Sequence, residues 1–240
     1  MLKRNMQLRK HANANTTSFS DRNLNLMVEK MSEHRIKAGS HIFWEGEPAD
    51  KLFFIRSGRV KITKSSDEGK EFILHMYQPG DLFGQLYPFQ STIHSFSAKS
   101  LDDSVIYILN QKDLEQLIME SNNLAIDFMK WMAVNQRITE TKLRDLMMYG
   151  KPGALCSTLI RLSNSYGKRE GDTITIMKKL THTELSNMIG ATRESVNRLL
   201  NDLRKQDIID YNNDSIVIKN LRSLQDICRC ENCPSEICRI

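Results

Sequence analysis

The chain lacks any apolar run approaching the ~18–20 residues that a membrane helix needs, so a helical membrane span is excluded. It also lacks a glycine-rich phosphate loop. Its six histidines, His11, His34, His41, His75, His94 and His182, are scattered, without the His-x-His and carboxylate set of a metal-dependent oxygenase. No enzyme is expected. Acid is absent from the first twenty residues: Lys3, Arg4, Arg9 and Lys10 precede the first acid, Asp21, and leave the rest of a chain of net charge +5 nearly neutral. A broad basic surface for nucleic acid is thereby excluded, and any DNA binding must come from a local motif. Behind those basic residues there is no apolar stretch of the secretory kind, so a cytoplasmic protein is expected. Residues 1–18, rich in Asn, Ser and Thr, read as a disordered lead. Cysteine is scarce and unevenly placed. Of five, Cys156 sits in the apolar run Ala154–Ile160 and reads as an ordinary buried thiol, while the other four fall at Cys228, Cys230, Cys233 and Cys238.

What is present has three textures. From Arg35 to Leu109, short apolar runs alternate with turn signals such as Ser57-Gly58 and Asp67-Glu68-Gly69, and six of the eleven glycines fall there. This predicts a closed antiparallel β-roll (a double-stranded β-helix) of about eight strands, ending at Ser104–Leu109 and occupying residues 19–111. Residues 112–148 contain neither Gly nor Pro. From Leu124 the positions Leu124, Phe128, Trp131, Asn135, Ile138, Lys142 and Asp145 step by four and three, the spacing of a coiled-coil seam. One helix over 112–149 is expected, with Leu124, Phe128, Trp131, Asn135 and Ile138 facing the same helix of a second copy in a homodimer. Tyr149-Gly150-Lys151-Pro152-Gly153 then breaks the helix and opens a C-terminal domain over 150–226. That domain should hold a helix near 153–165, a strand at 173–177, two helices and a hairpin around Asn212-Asn213-Asp214.

The segment Lys179–Leu200 carries the clearest motif. Two helices meet at Gly190-Ala191, with Thr181 or Thr183 placed to cap the first and Thr192 the second. Leu185, Ile189, Val196 and Leu199 supply the apolar face on which the helices of a helix-turn-helix cross. The second helix exposes Arg193, Glu194, Asn197 and Arg198: arginine matches the acceptor pair of guanine and glutamate the amino group of cytosine. The cysteines at 227–240 follow C-x-C-x-x-C-x4-C, too short a segment to build its own core. In a reducing compartment this spacing suits zinc or an iron–sulfur cluster, and spacing alone does not choose.

A β-roll, a long helix and a winged helix-turn-helix in this order resemble the family of the cyclic-AMP receptor protein and the fumarate and nitrate reduction regulator, over residues 19–226. The string Arg193-Glu194-Ser195-Val196-Asn197-Arg198 is similar to the recognition helix of its cyclic-AMP receptor members. The resemblance implies an α+β regulator that binds a palindrome of TGTGA-like half-sites in double-stranded DNA and works with RNA polymerase. Arg193 and Arg198 would read guanine edges and Glu194 a cytosine, with Asn197, Thr192 and Thr181 beside them. Cyclic-nucleotide binders of the family carry an acid and an Arg-Ser pair that this chain replaces with Gln85 and with Ile93-His94-Ser95-Phe96-Ser97. No cyclic nucleotide is expected. Regulators of the family from Gram-positive bacteria carry C-x-x-C-x4-C at the C-terminus, matched here by Cys230, Cys233 and Cys238, with an aspartate in an Arg-Asp-Leu segment, here Arg144-Asp145-Leu146. The resemblance implies one oxygen-labile [4Fe-4S] cluster per chain on those four residues, with Cys228 the alternative fourth ligand. The protein would then be an oxygen-responsive activator of anaerobic and nitrate respiration genes. The other implied arrangement is a structural zinc tail with a small organic effector in the β-roll, suggested by Gln85-Leu86-Tyr87-Pro88.

Overall fold

The computed structural model describes residues 14–240. The expectation of disorder for 1–18 therefore lies outside the described residues as far as Asn13. For the remainder it is overturned. Asn15–Ser18 form a 3-10 turn, and the Asn15 amide donates to Asp81 Oδ1 at 2.8 Å, its Nδ2 to the Leu82 carbonyl at 2.8 Å, and Thr16 Oγ1 to the Gly80 carbonyl at 2.7 Å. Asn15 and Thr16, both 1% exposed with their side chains paired, make this segment part of the core. The chain forms two units, one comprising the residues up to Thr63 with His75–Val134, the other Lys64–Leu74 with Asn135–Ile240.

The expected roll is present, and all of it but Lys64–Leu74 belongs to the first unit. Strands β1 (Ser32–Ile36), β8 (Ser104–Asn110), β3 (Lys51–Ser57) and β6 (Leu82–Phe83) form one antiparallel sheet in that spatial order; β2 (His41–Phe43), β7 (Ser97–Ser100), β4 (Val60–Ser65) and β5 (Glu71–Tyr77) form the other. Leu52, Ile55, Val60, Leu82, Phe83, Ala98, Ile106 and Leu109 are fully buried. The β3–β4 turn needs its glycine: Gly58 has φ +85°, and a Cβ there would lie 2.0 Å from Ser104 Oγ. Helix α1 (Asp21–Lys30) starts at Ser20, whose side chain accepts the Asn23 amide.

The single helix expected over 112–149 is two: α2 (Gln111–Glu120) and α3 (Asn122–Tyr166). Ser121 is extended (φ −142°, ψ 101°), and its hydroxyl accepts the Leu124 amide at 3.4 Å. A side chain that bonds its own backbone breaks a helix without Gly or Pro. The break expected at residue 150 is present, with Gly150 at φ 59°, ψ −163° inside α3.

The expected seam is corrected. Leu124, Phe128 and Trp131 are 0%, 3% and 6% exposed and pack in one cluster with Phe19, Leu24, Met27, Leu52 and Tyr107 of their own unit. Ile138, in the second unit, is also buried. The exposed stripe of α3 lies one or two residues further on, at Ile126, Met129, Ala133, Gln136, Glu140, Leu143 and Met147, again stepping by three and four. The outer stripe is apolar at both ends and polar at Gln136 and Glu140 between them; the same period runs on both faces, and the inner one is taken by the chain itself.

In the second unit, β11 (Ile209–Asn212), β12 (Ser215–Ile218), β10 (Thr173–Ile176) and β9 (Gly167–Glu170) form an antiparallel sheet in that order. The hairpin expected at 212–214 joins β11 to β12 through Asn213 and Asp214, both at positive φ (47° and 65°), as two-residue hairpins require. Strand β9 and helix α6 (Leu221–Ile227) are additions to the sequence reading. Among the described residues, no helix is long and apolar enough to cross a membrane.

Candidate nucleic-acid interface and cysteine site

Helix α4 (His182–Ile189) begins at Thr181, which forms a capping box: its hydroxyl accepts the Glu184 amide at 3.1 Å, and Glu184 Oε2 accepts the Thr181 amide at 2.9 Å. Thr183, the other candidate cap, lies inside the helix. Gly190 ends α4 in the left-handed region (φ 62°), where its missing Cβ removes the strain. Thr192 Oγ1 then accepts the Ser195 amide at 3.2 Å and starts α5 (Arg193–Lys205). Leu185 and Ile189 are buried beside Val196, Leu200 and Leu203. The crossing face thus uses Leu200, while Leu199, which was assigned to it, is only half-buried. Arg193, Glu194, Asn197 and Arg198 are all exposed on α5. Thr181 and Thr192 are exposed too, with hydroxyls already committed as caps. Lys179 reaches Asp214 at 3.2 Å, joining the approach to α4 to the β11–β12 turn.

The cysteine tail is docked. Asn220 caps α6 by accepting the Ser223 amide at 3.0 Å, and Cys228 closes the helix. Arg229 and Asn232 adopt positive φ (47° and 52°) and reverse the chain. The tail then lies on the second half of α3. Asn164 Nδ2 donates to the Cys238 carbonyl at 2.7 Å, Arg161 Nη1 to the Ile237 carbonyl at 3.4 Å, and the Ile240 amide to Ser165 Oγ at 3.2 Å. Ile237 and Ile240 are buried, so the tail borrows its core from the helix.

Asp145 is 1% exposed. Its Oδ1 accepts Arg144 Nη2 at 2.6 Å and Nε at 3.1 Å, and its Oδ2 accepts Arg161 Nη2 at 2.8 Å. Arg144 also pairs with Glu231, between Cys230 and Cys233. A buried carboxylate flanked by two guanidinium groups is electrostatically satisfied, and each oxygen keeps lone-pair capacity. Arg161 was missed by sequence reasoning, although it is the one charged residue between Lys151 and Lys168. A lone charge in such a run signals a buried partner.

The thiols differ. Cys156 and Cys228 are buried, and Cys230, Cys233 and Cys238 are half-buried. Burial pushes Cys228 up to about 12, helped by Cys230 and by the negative charge of Asp145. Burial likewise pushes Cys156 up to about 12, with Cys228 adding to it. Burial raises Cys238 and the Arg161 guanidinium opposes it, while Cys230 and Cys233 push the same thiol upward. The Cys238 thiol thus feels both Cys230 and Cys233, and the Cys228 thiol feels Cys230 and then Asp145. Among the described residues, no three of His, Cys, Asp and Glu stand together as a ready ligand group. The set is gathered but not preassembled, as for thiols that must lose protons to bind metal. One orphan fits an anionic guest: Arg161 Nε is buried without an acceptor.

Residues 33–121 match the family described as cyclic nucleotide-binding domain, and residues 153–227 match the Crp-like helix-turn-helix domain. The chain is 41% identical over 217 residues to the anaerobic regulatory protein of Bacillus subtilis, covering 89% of this chain and 91% of that one. It is 30% identical over 186 residues to a CRP-like cAMP-activated global transcriptional regulator of Mycobacterium tuberculosis, covering 78% of this chain and 83% of that one. Among solved structures, a CooA mutant from Carboxydothermus hydrogenoformans matches with TM-score 0.72 at 20% identity, covering 92% of this chain and 99% of that one, and supports the fold. With both domains matched and relatives similar along most of its length, the chain belongs to the Crp/Fnr family and is a DNA-binding transcription regulator.

Proposed function

We propose that this regulator responds to oxygen through one [4Fe-4S] cluster per chain, held by Cys230, Cys233, Cys238 and Asp145. The observation that carries the reading is the docking of a four-cysteine tail beside a buried aspartate on α3. When bound, the cluster supplies an oxygen-labile link between three thiolates and a carboxylate. The chain's own residues do the rest. Asn164, Ser165 and Arg161 hold the tail against α3, the helix that also carries the exposed stripe. Through that stripe two copies would pair, and their α5 helices would present Arg193, Glu194, Asn197 and Arg198 to the two halves of a TGTGA-like palindrome. A change in the tie at Asp145 would thus bear on the spacing of the recognition helices. The similarity to an anaerobic regulatory protein supports a regulatory role in anaerobic life; the proposal goes further, to activation of anaerobic and nitrate respiration genes with RNA polymerase as the further partner.

No cyclic nucleotide takes part in this reading: Gln85 Oε1 accepts the Ser95 amide at 2.8 Å, and residues 93–97 carry no cation for a phosphate. A second reading has one observation in its favour. His94 is 1% exposed, stacks on Phe43 at 3.6 Å, and leaves Nδ1 without a partner. That would suit a small organic effector in the roll, the tail then being a zinc clip. Anaerobic purification with iron, sulfide and zinc counted per chain, then air exposure under visible absorbance and DNA binding, separates the two. About four irons and four sulfides that bleach in air, with DNA affinity falling, is the expected result. Stoichiometric zinc unaffected by air would overturn the oxygen reading.

A further inference from the structure

Arg161 occupies the junction of the two halves of the cysteine site. One guanidinium nitrogen holds Asp145 Oδ2 at 2.8 Å, another the Ile237 carbonyl at 3.4 Å, and the third, Nε, is buried with no acceptor. The side chain is 4% exposed. A guanidinium taken out of water so completely is retained only where its donors and charge are met. Two of its three nitrogens meet groups next to proposed ligands: Asp145 itself, and the peptide preceding Cys238. Asn164, one turn along α3, fixes the Cys238 carbonyl at 2.7 Å. On the opposite edge Arg144 joins Asp145 to Glu231, in the loop between Cys230 and Cys233. The planar fork of arginine suits such bridging where lysine, a point donor, reaches only one partner.

We propose that Arg161 is the positioning residue of the cysteine site, clamping the Asp145 carboxylate to the Cys238 segment and keeping its Nε–H for an anionic sulfur of the bound group. The clamp is a property of the metal-free chain, and the assignment of Nε rests on the iron–sulfur reading above. Removal of the clamp frees Cys238 before any metal is involved, whereas removal of the Nε donor acts only on the loaded protein.

The test uses Arg161→Gln, which loses the charge and the fork, and Arg161→Lys, which keeps the charge alone. In reduced, chelator-stripped full-length protein, alkylation of Cys238 by iodoacetamide is timed by peptide mass spectrometry, with buried Cys156 as internal reference. Compared at full thiolate formation from a pH series, because the variant also loses the guanidinium that lowers this thiol's pKa, Arg161→Gln should raise the Cys238 rate by about tenfold or more, equivalent to ~1.4 kcal/mol of tail docking, at an unchanged Cys156 rate. Arg161→Lys should fall between it and the parent. In anaerobically loaded protein, the visible absorption of Arg161→Gln should decay several-fold faster under chelator than that of the parent. Unchanged Cys238 labelling, or Cys156 labelling rising in parallel, overturns the clamp whether or not iron is present. Faster labelling in a protein that takes up no iron would retain the clamp and overturn the Nε assignment, and would locate the failure in the cluster reading.

Discussion

The two stripes of α3 lead to opposite results for neighbouring substitutions. Ile126, Met129, Leu143 and Met147 are 44%, 60%, 59% and 74% exposed, all on the outer stripe. Full burial of such side chains is worth ~1.5–3 kcal/mol each, so each offers about 1–2 kcal/mol per copy if a second chain covers it. Met129→Asp would forfeit that in both copies and set two carboxylates against each other across a two-fold seam. Together this weakens association by about 4 kcal/mol, near a thousandfold in Kd. Phe128, next in sequence, is 3% exposed within its own unit. Phe128→Ala should instead cost about 3–5 kcal/mol of folding stability while the folded fraction still pairs. Sedimentation velocity over a concentration series, with thermal unfolding on the same samples, reads both quantities. A Met129→Asp protein that remains dimeric, beside a Phe128→Ala protein that is a stable folded monomer, would show that the faces have been assigned the wrong way round.

Arg193→Ala should weaken binding to a TGTGA-like palindrome by about 1–3 kcal/mol per half-site and relax selectivity at one base pair; a footprint series with unchanged base preference at every position would remove Arg193 from the readout. Asp145→Ala should lower iron retention, and in metal-free protein should also cost about 3–5 kcal/mol, because Arg144 and Arg161 lose a buried partner. Cys228→Ala should keep its iron, since Cys228 is buried at the end of α6 with its thiol donating to the Gln225 carbonyl at 3.6 Å; the reverse outcome for the two variants would make Cys228 the ligand. Lys142 donates to the Leu74 carbonyl at 3.0 Å. Burial, with the Arg161 and Arg239 guanidinium groups, lowers its pKa to about 7. An unfolded lysine keeps its proton to about pH 10.4, so between the two values the unfolded chain binds more protons. The contribution is present above the unfolded value and is lost as pH falls towards 7. Lys142→Met should flatten that slope by up to about 1.4 kcal/mol per pH unit, measured as urea midpoints between pH 7 and 9.

Features whose physics is local were legible in the sequence. Asn213-Asp214 specifies a hairpin because few residues other than glycine tolerate two successive positive φ values. Thr181 and Glu184 specify a helix start because the capping box closes within four residues. The stripe on α3 was legible as a period and not as a partner: four-three spacing repeats on both faces, and only packing decides which face the chain keeps for itself. The break at Ser121 escaped because it has neither glycine nor proline, only a hydroxyl that reaches the Leu124 amide. Asn15 and Thr16 escaped because their partners, at Gly80, Asp81 and Leu82, are more than sixty residues away.

The cysteine site shows the same division in one place. Spacing marks the four tail cysteines Cys228, Cys230, Cys233 and Cys238 as a set, and the choice of Cys230, Cys233 and Cys238 among them came from a resemblance. Asp145 had to be borrowed from a resemblance, and Arg161 was invisible, because their relation is created by helix packing across sixteen residues and by a tail that returns from seventy-six residues away. Helix α3 also anchors the tail. Three of its polar side chains, Arg161, Asn164 and Ser165, fix the path of the tail before any metal is considered, and a fourth, Arg144, holds the loop between two of the cysteines through Glu231. A ligand on a flexible terminus would lose conformational entropy at the moment of binding. Here much of that ordering belongs to the fold, so the proposed cluster would have to contribute only the difference between a docked tail and a cross-linked one.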